Sequence, residues 1–236
     1  MAIREEFDKR VAEINSFYEI LSIIELENPR IYAYNLDKSG EENLAITSSK
    51  IDMLRSTAYL LLYNLIESTV YNAVISVFDQ ISDNQLKYFD IIEEVQKYWL
   101  NNLYKHDDKK RRETIIETIM NVAIQIFNNA ITLASNEINY GGSIDAQTIF
   151  KTARSMKIDI GNIHRMYNEN THGQTLIDVK QKRNWLAHGE KSFIEVGSSS
   201  TFSELEEAKQ YVFDFLKEFI VSVENYITNK KYRVSS

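Results

Sequence analysis

The sequence predicts an all-α protein, and two observations carry that expectation. Chain breakers are scarce, with seven glycines and one proline in 236 residues, too few for a fold rich in turns. Apolar residues recur at three- and four-residue steps through most of the chain, the spacing of one face of a helix. At 44% hydrophobic the chain is globular rather than disordered, and it is long enough to bury a core as a single domain.

The elements follow in order. Ile3 to Leu26 sets Phe7, Val11, Ile14, Phe17, Tyr18, Leu21 and Ile24 on one face of a helix that stops near Asn28-Pro29. Residues 29–46, with Lys38-Ser39-Gly40, read as a connector longer than usual. A long helix capped around Thr47 to Ser49 runs through Ile81, and its middle, Tyr59 to Ile66, is apolar on nearly all sides. Such a helix is buried among others or in a dimer. Arg55 and Glu67 are charges near that apolar centre. A buried charge is costly unless paired, so Glu67 is expected to meet a cation, either in a plain structural ion pair or by reaching Arg183.

Ser82-Asp83 opens a helix from Gln85 to Tyr104, with Phe89, Ile92, Val95 and Trp99 on its stripe. The mixed-charge run Asp107 to Arg112 reads as a solvated helix start. The helix Glu113 to Asn136 points Ile116, Ile119, Met120, Ala123, Ile124 and Phe127 at a core. Gly141-Gly142 follows a helix rather than a strand, so it is a tight turn and not a phosphate-cradling loop. Ala146 to Met156 and Ile160 to Tyr167 read as short helices, and Asn168 to Gly173 as a loop containing His172. Thr175 to Ala187 is helical, and the segment Ser192 to Ser200 is irregular or briefly extended. Ser203 and Glu206 fit a capping box that opens the last helix, which runs to about Asn229 before a frayed basic tail, Lys230 to Arg233. The chain is thus expected as one helical domain over 1–236: an N-terminal helix (1–30), long helices (47–136), short helices and loops (137–173), and two final helices (174–229).

The stretch with the most chemistry is Lys182-Arg183-Asn184-Trp185-Leu186-Ala187-His188-Gly189. Gly189 is a helix stop, since glycine takes the left-handed conformation without steric cost. His188 therefore falls in the last turn. Asn184 and His188, four apart, share a face. Arg183 lies ~140° round from His188 and needs its long side chain to reach the same space. An arginine offers a planar fork of donors that fits a phosphate, and a histidine can move a proton near neutral pH. The plainer alternative is that both residues only cap helix carbonyls and complement the dipole.

These residues resemble a known family. Arg183, four intervening residues and His188, with a polar residue directly after the arginine, match the R-x4-6-H signature of HEPN domains. The wider string KRNWLAHGEKSFIEVG, and the helix LRSTAYLLLYNLIESTV over Leu54 to Val70, resemble the bacterial MAE-like branch, so that the resemblance covers residues about 50 to 228. It implies a HEPN-like helical bundle with long antiparallel helices and a short helical insertion, forming a homodimer. It also implies a metal-independent endoribonuclease, as many HEPN toxins and antiphage effectors are. Arg183 would hold the scissile phosphate, Asn184 would orient, and His188 would do acid–base work; Glu67 is the supporting candidate from the charge argument above. Lys180, Lys182 and Lys191 are candidate substrate-binding cations. Some HEPN toxins carry a modifiable tyrosine two residues after the histidine, where this chain has Glu190. Other HEPN modules only bind a nucleotide or a protein, which is the alternative expectation.

Composition bounds the rest. Cysteine is absent, and the four histidines (His106, His164, His172, His188) lack metal-ligand spacing, so neither a disulfide framework nor a zinc site is expected, and no cofactor. The N-terminus has no signal-peptide core, and no apolar run approaches the ~20 residues of a membrane span. A cytoplasmic protein is expected, with RNA and an antitoxin or defence-operon protein as partners and no membrane. The net charge of −7 disfavours diffuse polyanion binding and leaves a local basic pocket.

Overall fold

Helices make up most of the described chain: the computed structural model describes residues 2–34, 41–103, 112–128, 131–133, 138, 140, 143–163 and 173–234. The order is α1 (Ala2–Ile24), β1 (Arg30–Tyr34), β2 (Glu41–Ala45), α2 (Ser48–Asp83), a 3-10 turn (Tyr88–Asp90), α3 (Glu93–Leu103), α4 (Arg112–Asn128), α5 (Ala146–Ser155), α6 (Gly173–His188), α7 (Phe193–Ser198) and α8 (Phe202–Thr228). The all-α class is as the sequence predicts, and β1 and β2 form a small antiparallel hairpin in the expected connector, with Ile31 opposite Leu44. The Gly-Gly pair, His106, His164, His172 and the charged run 107–111 lie outside the described residues.

The chain divides into two compact units, and α2 and α8 each contribute to both. The first comprises Met1–Glu5, Glu67–Asn170 and Phe215–Ser236. Its core joins Val70, Val74, Val77 and Phe78 of α2 to Val95 and Trp99 of α3, Ile149 and Ala153 of α5, and Phe215, Phe219 and Val223 of α8. The Trp99 indole N–H donates to the Thr132 carbonyl (2.7 Å) and the Tyr226 hydroxyl to the Met156 carbonyl (2.7 Å), so the polar ends of these buried rings are satisfied. The C-terminal tail is docked here rather than frayed. Tyr232 is buried, its carbonyl accepts from the Ile92 N–H (2.9 Å), and Val234 N–H donates to the Asp90 carbonyl (3.1 Å).

Two further expectations change in this unit. No single helix runs from Gln85 to Tyr104, because Gln85 takes φ 52° after α2 ends at Asp83; Phe89 is left exposed and Ile91 buried. The apolar stripe of α4 faces outward, with Ile119 and Met120 each 58% exposed and Phe127 69% exposed. Periodicity identifies an apolar face but not what covers it.

The second unit comprises Glu6–Ile66 and Thr171–Asp214. Its core joins Phe7, Ile14, Tyr18 and Leu21 of α1 to Ala58, Leu62 and Tyr63 of α2, Leu176 and Val179 of α6, Val196 of α7, and Leu205 and Val212 of α8. Arg55 is half-buried and paired: its guanidinium donates to both Glu25 carboxylate oxygens (2.6 Å each) and to the Ser200 carbonyl (3.1 Å), with Asp52 at 3.6 Å. The middle of α2 is less uniformly buried than its sequence suggests, for Asn64 is exposed and Leu60 and Leu61 are half-buried. An 18-residue window of α2 is long and apolar enough by composition to cross a membrane, contrary to the sequence expectation. Half of that window is buried inside the protein, which is how a core helix meets the same criterion.

The segment after the motif is helical rather than irregular. Ser192 caps α7: its hydroxyl accepts from the Glu195 N–H (3.2 Å), and the Glu195 carboxylate accepts from the Ser192 N–H (2.8 Å). The capping box of α8 is also two residues earlier than expected, with Thr201 as cap and Glu204 reaching back to its N–H (2.7 Å). Glu206 instead pairs with Lys209 (2.9 Å). Thr-x-x-Glu and Ser-x-x-Glu both satisfy the pattern here, and the first in the chain starts the helix.

Candidate functional site

The site lies in the second unit, at the end of α6. The helix closes as the sequence predicts, with Gly189 at φ 69°. The Glu190 N–H donates to the Trp185 carbonyl (2.9 Å), and the Gly189 N–H points at the Leu186 carbonyl (3.4 Å). Backbone groups thus satisfy the last turn without side-chain help. His188 is exposed, and among the described residues its imidazole forms no hydrogen bond. The alternative in which the histidine caps helix carbonyls does not describe this geometry.

Arg183 is half-buried and fixed from two sides. Its guanidinium carbon stands 4.4 Å from the centroid of the buried Tyr63 ring, and its Nη1 donates to Asn184 Oδ1 (3.0 Å). The ring orders one face of the planar cation through a cation–π contact, and the amide orders one edge. Among the described residues no carboxylate pairs with it. Its remaining donors are therefore pre-positioned for an anion that no described residue supplies.

α7 holds this terminus in place. Gly197 lies so close to α2 that an added Cβ would sit 2.7 Å from Asp52 Cα, and closer still to the Asp52 carbonyl. The buried Ser56 hydroxyl lies on the carbonyl of Phe193 as well as that of Asp52, four residues earlier in α2. The segment just past the motif is therefore locked to the helix that carries Tyr63.

Two of the expected lysines, Lys182 and Lys191, turn to other partners. Lys182 turns to the buried Tyr59 and Ser200, donating to Tyr59 Oη (2.8 Å) and Ser200 Oγ (2.5 Å), while Tyr59 donates to Ser200 (2.8 Å). It lines a cavity of about 340 Å³ together with Asp178, Glu204 and Glu207. Glu204 is held below the usual carboxylate range by the Thr201 N–H and hydroxyl, with Lys182 adding to the effect. Lys191 sits over the Trp185 ring, 3.6 Å from its centroid. Lys180 is half-buried on α6.

Glu67 belongs to the first unit and forms no ion pair among the described residues. Its carboxylate instead lies near Tyr71, whose hydroxyl is pushed up by burial and then by that charge. The support expected of Glu67 for Arg183 is supplied by Tyr63 and Asn184. Sequence reasoning missed Tyr63 and the Trp185–Lys191 pair. The first was readable only as another apolar residue of α2. The second had a signal in the spacing, since a residue just past a helix end folds back over its last turn.

A family model described as MAE_28990-like HEPN matches residues 1–232, a wider span than the sequence resemblance covers. No curated protein and no solved structure matches the chain. The arginine, asparagine and histidine at the end of α6 thus sit within a chain matched almost end to end, and the chain belongs to the MAE-like HEPN family.

Proposed function

We propose that this HEPN module is an endoribonuclease that cleaves RNA by attack of a 2′-hydroxyl on the adjacent phosphate, and that it serves as a toxin or antiphage effector. The observation that carries the reading is Arg183: a guanidinium held by Tyr63 and Asn184, without a carboxylate among the described residues, on the same helix as an exposed His188. A fixed cation of this kind stabilises charge building on the phosphoryl oxygens. An exposed imidazole with no hydrogen bond to the described residues can take the 2′-hydroxyl proton or give one to the leaving 5′-oxygen. The new bond is from 2′-oxygen to phosphorus, the broken bond from phosphorus to 5′-oxygen, and the products are a 2′,3′-cyclic phosphate and a 5′-hydroxyl. In a homodimer with two motifs facing each other, one His188 serves as base and the other as acid. The positive charge comes from the guanidinium, so the reaction proceeds in EDTA.

The net charge of −7 favours a second reading, a non-catalytic module that binds a nucleotide or a partner protein. Incubating purified protein with total RNA and EDTA separates the two. Fragmentation that is lost in both His188→Ala and Arg183→Ala, with helix content unchanged, supports cleavage. Intact RNA, or undiminished activity in either variant, rejects it.

A further inference from the structure

Trp185 and Lys191 have no role in the scheme above, yet the fold builds them into one unit beside the imidazole. The Trp185 carbonyl accepts from the Glu190 N–H (2.9 Å) and faces the Lys191 N–H (3.4 Å), so the turn through Gly189 folds Lys191 back over the last turn of the helix. The ammonium then rests 3.6 Å from the indole centroid. Lys191 is exposed and Trp185 half-buried, so the ammonium lies between an indole face and the solvent side of the helix end. Among the described residues Lys191 forms no ion pair. Round the helix, His188 falls about 40° from Asn184 and about 60° from Trp185. The indole is therefore the next surface beyond the imidazole, on the side away from Arg183.

We infer that Trp185 is a stacking platform for an unpaired base, uncovered when Lys191 leaves its ring for a neighbouring phosphate, so that the site takes single-stranded rather than duplex RNA. The inference rests on the ribonuclease reading for its substrate class. The exchange runs downhill. An exposed ammonium on an indole is a weaker contact than a base stacked on it, and the displaced ammonium gains a phosphate. One lysine and one indole face match one nucleotide: a charge for the phosphate and a π surface for the base. In a duplex both faces of the base are already stacked, so the platform has nothing to receive.

The test uses full-length His188→Ala protein, which binds without cutting under the cleavage scheme, and a short mixed-sequence single-stranded oligoribonucleotide. The chain has two tryptophans, and Trp99 is fully buried, so an added ligand reaches only the emission of Trp185. The oligonucleotide should quench that emission as it binds. The duplex of the same sequence should not quench it, and inorganic polyphosphate, which has phosphates but no bases, should bind without quenching. In the same background Trp185→Leu should weaken single-strand binding about tenfold and Trp185→Phe should largely restore it. Lys191→Gln should keep the quench and lower the salt slope of binding by about one. Saturated binding with no quench, Trp185→Leu binding as tightly as its parent, or no binding at all overturns the platform. If unmutated protein leaves RNA intact in EDTA while the quench persists, cleavage fails and the platform stands. Cleavage without the quench removes the platform alone.

Discussion

Replacing Gly197 by alanine should damage this protein more than any other glycine substitution near the motif. The added Cβ would lie 2.7 Å from Asp52 Cα, where ordinary contact begins at 3.4 Å, and it would lie nearer still to the Asp52 carbonyl. Both partners are helix backbone, which cannot rotate aside as a side chain would. α7 must therefore move off α2 by on the order of 1 Å, and the hydrogen bond from the Ser56 hydroxyl to the Phe193 carbonyl goes with it. Overpacking in a close-packed site costs ~1–3 kcal/mol, and a lost buried hydrogen bond adds about 1, giving roughly 3 kcal/mol. For a chain of this length that is a fall in Tm of about 6 to 12 °C. Gly189→Ala is the internal control: its Cβ meets nothing within 4 Å, and only the φ of 69° is strained, at about 1 kcal/mol. Urea unfolding of the two variants beside the parent protein makes the comparison. If Gly197→Ala costs no more than Gly189→Ala, α7 is not packed on α2 and the account of how the motif is positioned fails.

Three shorter predictions follow from other contacts. Arg183→Lys keeps the charge but loses the planar face on Tyr63 and the forked donors, so activity on RNA should fall at least about tenfold with the fold intact; activity equal to the parent would show that the guanidinium is not the anion site. Tyr232→Ala empties a fully buried position on the first unit, where Tyr232 packs near Tyr226, and should cost about 3 kcal/mol in urea unfolding; a surface-like change under about 0.5 would mean the tail is not docked. The Glu195 and Glu204 carboxylates are both held down by the N–H groups and hydroxyls they cap. A depressed folded-state pKa gives stability that is present above the unfolded carboxylate value and lost as pH falls through the folded one. The stability gap between the parent and Glu195→Gln/Glu204→Gln should therefore be open at neutral pH and close in acid, below the ordinary carboxylate range; a gap that widens in acid would contradict it.

Much of the helical plan was legible because it depends on local chemistry. Gly189 ends α6 where a glycine is expected to, Asp145 caps α5 by accepting the Thr148 N–H (2.8 Å), and the α1 face from Phe7 to Leu21 is buried as its spacing requires. The failures share a cause. Ser192-x-x-Glu195 and Thr201-x-x-Glu204 are as good as the Ser203-x-x-Glu206 box that the sequence reading chose, and α7 adds to its cap the burial of Val196 and Gly197, which the sequence pattern does not show. The outward stripe of α4 and the docked Tyr232 depend on what lies opposite each segment, which no local pattern records. At the site, Arg183 and His188 were legible from a spacing, whereas Tyr63 under the guanidinium is a tertiary contact 120 residues away, indistinguishable in the sequence from its apolar neighbours.

The most direct test of the central claim is the chemistry of the ends. Purified protein is incubated with a defined single-stranded RNA in EDTA, and the fragments are examined for a 2′,3′-cyclic phosphate and a 5′-hydroxyl. The account predicts both ends from the parent protein and uncut RNA from Arg183→Ala and His188→Ala alike. Fragments ending in a 3′-hydroxyl and 5′-phosphate, or the same fragments from either variant, would contradict it.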